Sequence, residues 1–303
     1  MRKAAWVPFL PAVLAGICME ELYRYVFVRG GSPLLNRLLD KKGHEEAYYV
    51  FRDEAARRLR ALPQQRWEIR SQRGEKLCGF YIPGGGAGRR VAFLVHGYTS
   101  EHAQTAGMYY DYYRSRGFDL FCCDNTAHGE SGGNFIGFDV FESEDCLLWL
   151  AELQRRLGPD VQILLHGFSL GAATVLRLSD RCPACVKALV SDSAFCDGAA
   201  QLRGQLGPMY APLALMHRLV AGCDLRESDL RPALGRCRLP ILFVQGREDR
   251  TVPAENGPAL YELYRGEKDC LFVPGARHIE SMYRAPDAYA EKLDGLIRRS
   301  FST

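Results

Sequence analysis

One stretch of the 303-residue chain combines a nucleophilic residue with the spacing that would expose it: Gly167-Phe168-Ser169-Leu170-Gly171, which fits G-x-S-x-G. The apolar run 161–165 stands before it, and a run of helical character begins at Leu170. That context predicts a tight strand-to-helix turn with the serine at its apex. Side chains flanking such a turn would collide with neighbouring backbone, and glycine also relieves the strain of the turn. A serine placed there is exposed at the end of a strand and near the positive end of a helix. Gly129-Glu130-Ser131-Gly132-Gly133 fits the same pattern. A polar gap at 124–128 separates it from the preceding strand, and Gly133-Asn134 breaks any helix that would follow, so Ser169 is favoured over Ser131.

A serine hydroxyl attacks a carbonyl only if a base takes its proton and a third group orients that base. His278 follows the last apolar run and is the only histidine beyond residue 217. For the orienting acid, Asp249 lies in Gln245-Gly246-Arg247-Glu248-Asp249, just after another apolar run, and Asp192 is the competing carboxylate. Asp249 is favoured because its loop reads as a strand-end turn ahead of a helix, and because the order Ser169, Asp249, His278 suits this arrangement. Two backbone N–H groups must then meet the developing oxyanion. The expected donors are Leu170, next to the serine, and Tyr98 in the loop His96-Gly97-Tyr98-Thr99 after the first parallel strand; the Tyr98 side chain is also a candidate for touching substrate.

The elements that position these groups are legible in the hydropathy pattern. Apolar runs at 91–95, 119–123, 161–165, 186–190, 241–244 and 270–273 alternate with helical segments at 101–116, 141–157, 170–180, 254–265 and 285–300. Strands apolar on both faces and separated by helices predict an α/β protein with a mostly parallel sheet covered on both sides. A helix over 45–62 and a hairpin of 67–70 with 77–82 precede this region. Residues 193–239, with Pro208, Pro212 and Pro232, are too long for a simple crossover and read as a small helical cap over the carboxyl edge of the sheet, where ligands bind in such folds. The resulting division is a hydrophobic segment at 1–30, a helical lead-in at 31–64 and one domain at 65–303 containing the cap.

Composition narrows the rest. Charged residues at 25% and aromatics at 11% suit a globular chain and exclude disordered and collagen-like classes. The net charge of +3 is spread along the sequence without a dense basic block, so nucleic acid is not an expected partner. Eleven cysteines, an odd number scattered through apolar runs, read as reduced thiols rather than a disulfide framework. Cys182-Pro-Ala-Cys185 lacks a second ligand pair and a thioredoxin context, and is read as structural, as is the Cys122-Cys123 pair. His166, on the strand before the serine, and the tyrosines between 109 and 113 are read as packed residues. The glycine-rich loop 83–88 lacks the Lys-Ser/Thr of a phosphate-binding loop. At the N-terminus, Arg2-Lys3 precedes an apolar run at 4–19 that is shorter than the ~20 residues of a spanning helix. Residues 4–28 therefore fit either a membrane-associating segment or a helix packed on the domain, and the location of the chain stays open between cytoplasmic and membrane-associated.

Taken together, His96-Gly97-Tyr98, Asp124-x-x-x-His128-Gly129-x-Ser131-x-Gly133, Gly167-Phe168-Ser169-Leu170-Gly171, Gly246-x-x-Asp249-x-x-Val252-Pro253 and His278 resemble the α/β-hydrolase superfamily. More closely, they resemble bacterial serine hydrolases of the serine-aminopeptidase and acyl-esterase type, including members with an N-terminal hydrophobic helix. The resemblance spans about residues 65–300. It implies an α/β-hydrolase fold, a Ser169-Asp249-His278 triad, an oxyanion hole at Tyr98 and Leu170, no cofactor and no metal, and a structural role for Ser131. Such families have Arg two residues before the His-Gly pair, where this chain has Thr126. The expected activity is hydrolysis of a carboxylic ester in a small-molecule or acyl substrate. Amide or peptide hydrolysis, or acyl transfer, would use the same residues, and a non-catalytic binding module on the same fold is the alternative of another class.

Overall fold

The computed structural model describes residues 10–38, 43–85 and 90–301. Arg2-Lys3, Pro8 and residues 86–88 of the glycine-rich loop lie outside them. The chain opens with α1 (Leu10–Phe27), α2 (Pro33–Leu38) and α3 (Glu46–Arg60), then the strands β1 (Gln65–Arg70) and β2 (Lys76–Ile82). From β3 (Arg90–Val95) strands and helices alternate through α4 (His102–Ser115), β4 (Asp119–Asp124), α5 (Val140–Leu157), β5 (Gln162–Phe168), α6 (Leu170–Arg177) and β6 (Val186–Asp192). The long connection that follows carries α7 (Gly198–Leu206), α8 (Tyr210–Ala221) and α9 (Arg231–Arg236). The chain then returns through β7 (Ile241–Gly246), α10 (Asn256–Leu263), β8 (Lys268–Val273), α11 (Ser281–Arg284) and α12 (Pro286–Ser300).

The strands form one sheet in the order β1-β2-β4-β3-β5-β6-β7-β8. β1 and β2 pair antiparallel with their neighbours, and β3 to β8 are parallel. The parallel part follows from the crossovers, since a helix between strands carries the chain back to start the next strand at the same edge. Alternate residues of each central strand feed opposite cores. Phe93, Ile163 and Leu165 meet Trp149 of α5 on one side, whereas Leu94 and Leu164 meet Tyr113 of α4 and Leu293 of α12 on the other. β5, β6 and β7 run a few residues past their apolar stretches, because backbone pairing continues to Phe168 opposite Asp192 and Asp192 opposite Val244. All three therefore deliver their following residues to one edge.

The N-terminal segment is longer than its apolar run suggested. The C-terminal part of α1 buries Tyr23, Val26 and Phe27 in the same core as the sheet. The chain after it is stitched to the 134–136 segment by the Arg29 N–H to Asn134 carbonyl bond (2.8 Å) and the Ile136 N–H to Phe27 carbonyl bond (2.9 Å). Among the described residues, no helix is long and apolar enough to cross a membrane.

Candidate active site

At the end of β5 the backbone turns sharply into α6, and Ser169 occupies the turn with φ 53° and ψ −117°. A non-glycine residue in this region is strained, and such strain persists only where the surroundings over-determine it. Here the Ser169 N–H donates to the Asp192 carbonyl at 2.8 Å, and the Ser169 carbonyl accepts from the Ala173 N–H at 3.0 Å. The flanking glycines are required sterically. A Cβ on Gly167 would lie 2.1 Å from the Gly171 carbonyl oxygen, and one on Gly171 would lie 2.0 Å from that of Val95.

The loops after β7 and β8 bring their side chains to this turn. Ser169 Oγ lies 2.8 Å from His278 Nε2, and His278 Nδ1 lies 2.7 Å from Asp249 Oδ2. The Asp249 carboxylate is buried and fixed from several directions: Oδ1 accepts from the Thr251 and Val252 N–H groups at 2.9 and 3.0 Å, and Oδ2 accepts from Gln245 Nε2 at 2.8 Å. His278 retains slight exposure, at 9%. The chain thus places a hydroxyl, an imidazole and a carboxylate in line at the open edge of the sheet.

Leu170 opens α6, so its N–H lies in the helical turn whose donors have no intrahelical acceptor. The loop holding Tyr98 runs alongside the serine, close enough that a Cβ on Gly97 would sit 3.2 Å from Ser169 Cβ. Two buried histidines brace this loop. His96 Nδ1–H donates to the Gly97 carbonyl at 2.7 Å, while its Nε2 accepts from the Asn125 N–H at 3.0 Å. His128 Nδ1–H donates to the Thr126 carbonyl at 2.9 Å, and its Nε2 accepts from the Thr99 N–H at 3.1 Å. Burial and the neighbouring His96 push His128 down to about 3, so its ring is neutral and free to accept. The Tyr98 side chain does not turn toward the serine. Its hydroxyl donates to the backbone carbonyls of Tyr25 and Val26, at 2.9 and 3.0 Å, and its ring packs on Phe138.

A family model described as serine aminopeptidase, S33, matches residues 86–223. The chain is 22% identical over 296 residues to the uncharacterized protein YqkD of Bacillus subtilis, covering 94% of this chain and 93% of the relative. It is 24% identical to the alpha/beta hydrolase domain-containing protein 17C of Xenopus tropicalis, over 79% of this chain and 70% of that one. Among solved structures, an esterase of Pyrococcus furiosus, Pf2001, superposes with a TM-score of 0.63 at 20% identity, covering 80% of this chain and 94% of the other. The chain has the α/β-hydrolase fold.

Within this fold, the rejected candidates have other partners. Asp192 is fully buried beneath the site, accepting from the Tyr289 hydroxyl and Ser193 Oγ, both at 2.9 Å, and from the Tyr109 hydroxyl at 3.4 Å. Burial pushes its carboxyl up to about 6, against the Tyr289 and Ser193 bonds that favour its charge. Ser131 is buried: its Oγ accepts from the Cys78 N–H at 2.8 Å and donates to the Asp124 carbonyl at 2.6 Å. His166 is packed between tyrosines, bonded to the Tyr113 hydroxyl at 2.8 Å and the Tyr289 hydroxyl at 3.1 Å. Cys182 and Cys185 are free thiols, pushed up by burial and so held away from the thiolate.

Several supporting groups carry little signal in the sequence. Gln245, near the end of β7, is visible there only as part of a strand end. Arg73, in the β1–β2 turn, covers the departure at Thr126: its guanidinium stacks on Phe141, donates to Thr126 Oγ1 at 3.2 Å and lies 3.6 Å from Asp145. Thr126 in turn donates to Asp145. A cation therefore reaches the Asp145 carboxylate from a segment far away in sequence. Glu101, His102 and Asp124 are the described cluster with metal-ligand types. Their atoms already serve the loop: Glu101 caps α4 through the Ala103 and Gln104 N–H groups, and Asp124 accepts from the His102 and Glu130 N–H groups.

Proposed function

We propose that this α/β-hydrolase cleaves a carboxylic ester through an acyl-enzyme formed on Ser169. The observation that carries the reading is the Ser169–His278–Asp249 chain of two short hydrogen bonds at a strained strand-to-helix turn. In this mechanism His278 Nε2 removes the Ser169 proton as Oγ attacks the carbonyl, and Asp249 holds the imidazole tautomer and stabilises its charge. The oxyanion of the tetrahedral intermediate is met by the N–H groups of Leu170 and Tyr98. His278 then protonates the departing alcohol, and water resolves the acyl-enzyme through the same base. No step needs a metal or cofactor. The substrate is a small acyl ester, admitted at the edge covered by the helices of residues 193–239.

Labelling with a fluorophosphonate followed by peptide mapping tests the nucleophile without knowledge of the substrate. The adduct is expected on Ser169, with Ser169→Ala abolishing both labelling and p-nitrophenyl ester turnover, and Ser131→Ala retaining both. A folded chain that takes no label would instead be a binding module on this fold. The serine-aminopeptidase description of the matching model favours a second reading, amide hydrolysis by the same residues. Parallel assays with aminoacyl p-nitroanilides and p-nitrophenyl esters separate the two. Membrane association through residues 4–28 is a further proposal, supported by Ile17 and Cys18, which α1 leaves exposed; flotation of the chain with lipid vesicles tests it.

A further inference from the structure

The loop that carries His278 bends at the very next residue. Ile279 has φ 52°, a left-handed conformation that a β-branched residue adopts only where its surroundings impose it. Two hydrogen bonds impose it here. The Ile279 N–H donates to Ser193 Oγ at 3.3 Å, just past β6, and the Ile279 carbonyl accepts from the Tyr48 hydroxyl of α3 at 3.2 Å. Tyr48 is fully buried and lies 231 positions earlier in the sequence.

The segment at the start of α3 grips the same loop at three further points. His44 Nδ1–H donates to Glu280 Oε1 at 2.8 Å, and Glu280, itself fully buried, accepts from the Arg277 N–H through Oε2 at 3.1 Å. Arg277 Nη1 donates to the Gly43 carbonyl at 3.2 Å, and Arg284 pairs with Glu45 at 2.8 Å. These contacts fall on both sides of His278. The Tyr283 ring adds an apolar seam, 5.5 Å from Tyr48 and 5.2 Å from Phe51 between centroids. α3 is a firm support for them. It buries Ala55, Ala56 and Leu59, and it approaches α4 so closely that a Cβ on Gly107 would lie 2.6 Å from the Ala55 carbonyl oxygen. Gly43 and Glu45 also share with His278 the lining of one cavity of 600 Å³.

Resting on the serine-hydrolase reading, we propose that Tyr48 and His44 are positioning residues for the reaction: residues 43–48 clamp the turn at 277–280 and so set where the His278 imidazole stands. That imidazole must meet Ser169 Oγ at 2.8 Å and Asp249 Oδ2 at 2.7 Å together. Without the Tyr48 hydroxyl the Ile279 carbonyl is unheld, and the left-handed residue relaxes by turning its peptide, which carries the adjoining His278 out of line. A misplacement of about 1 Å costs on the order of 10²-fold in rate. The clamp touches neither Ser169 nor the groups assigned to the oxyanion, so its loss should spare substrate binding.

Tyr48→Phe keeps the buried ring and removes only the hydroxyl. In the full chain it is expected to lower kcat for p-nitrophenyl butyrate roughly ten- to hundredfold with KM unchanged. It should also weaken the downfield proton NMR resonance of His278 Nδ1–H, assigned by its loss in His278→Gln. His44→Leu should act in the same direction, and His44→Gln, which keeps a donor for Glu280, should restore most of the rate. Arg58→Gln, on the exposed face of α3, should move neither readout. A purely structural role would lower the melting temperature while the folded variant kept the parent's kcat and resonance, and that result overturns the proposal. If Tyr48→Phe does not fold, the His44 pair decides: a His44→Leu variant as fast as the parent overturns the clamp, and a slow one restored by Gln supports it. A parent that neither hydrolyses an ester nor takes the fluorophosphonate would end the hydrolase reading. The resonance then decides alone, supporting the clamp if it weakens in Tyr48→Phe and overturning it if it does not.

Discussion

Asp192 and Asp249 emerge from adjacent strands, yet their surroundings give them different chemistry. Asp249 is oriented by backbone N–H groups and Gln245 toward His278, whereas Asp192 is occupied by Tyr289, Ser193 and Tyr109. Replacing Asp249 by Asn presents an amide where the imidazole N–H needs an acceptor, and is expected to lower kcat roughly 10³- to 10⁴-fold with little change in KM. Asp192→Asn is expected to lower kcat less than about tenfold while shifting stability, because it perturbs a buried hydroxyl network behind the serine. Steady-state kinetics beside thermal melts of both variants check this, and the reverse ranking would assign the acid to β6. The sequence makes the serine, histidine and both carboxylates visible because each stands directly after an apolar strand. It does not rank the carboxylates by contact, since the Tyr289–Asp192 bond joins residues 97 positions apart. The same long range hides Arg73, which reaches Thr126 across 53 positions.

The element that the hydropathy pattern leaves most open is α1. Its apolar run reads alike for a membrane segment and for a packed helix, because both bury apolar side chains and composition does not name the surface that covers them. The structure resolves this for the C-terminal part only. Phe27 is fully buried and stacks on His217 of α8 at 4.2 Å between ring centroids, and the carbonyls of Tyr25 and Val26 accept from Tyr98. α1 therefore bridges the cap and the loop assigned to the oxyanion. Phe27→Ala is expected to cost about 3–5 kcal/mol, the range for truncating a buried phenylalanine, and to lower kcat by loosening Tyr98. Urea denaturation measures the first effect. A Tyr98→Phe variant, which keeps the ring but loses the hydroxyl, measures the second, and unchanged kcat there would sever α1 from the chemistry. The parallel strands are legible because runs apolar on both faces have few other uses. The apolar pattern places their ends short, at 165, 190 and 244, since pairing continues through His166 and Gly167, Ser191 and Asp192, and Gln245 and Gly246, which carry little strand signal.

At the scale of the whole molecule, the cap is tied to the body over a set of buried carboxyl groups at the start of α5. Ser228 donates to Asp139, Arg177 lies 3.6 Å from Asp139 and 3.5 Å from Glu227, and Cys223 Sγ donates to the Gly137 carbonyl at 3.4 Å. Beside them Glu142 is fully buried; its Oε1 accepts from the Gly137 N–H at 2.9 Å, and its Oε2 has no partner among the described residues. Burial pushes Glu142 up to about 7 and Asp145 up to about 6, and it raises Asp139 in the same direction. A carboxyl whose pKa is higher folded than unfolded binds more protons in the folded state, so its stabilising contribution is complete below the unfolded value and declines as pH rises toward the folded one. For Glu142 that window runs from 4.5 to about 7. Glu142→Gln keeps an acceptor for the Gly137 N–H and removes the titration. The variant is expected to match the parent near pH 4 and to exceed it in stability by about 3 kcal/mol at pH 8, because each tenfold gain in proton affinity on folding corresponds to about 1.4 kcal/mol. Urea midpoints across this range decide the matter: a gap that does not widen with pH would mean that Glu142 ionises in the folded chain as freely as in the unfolded one. Since the same carboxyls underlie the joint with the segment after α8, the loss should be felt first where the cap meets α5, as faster amide exchange in residues 223–230 at high pH.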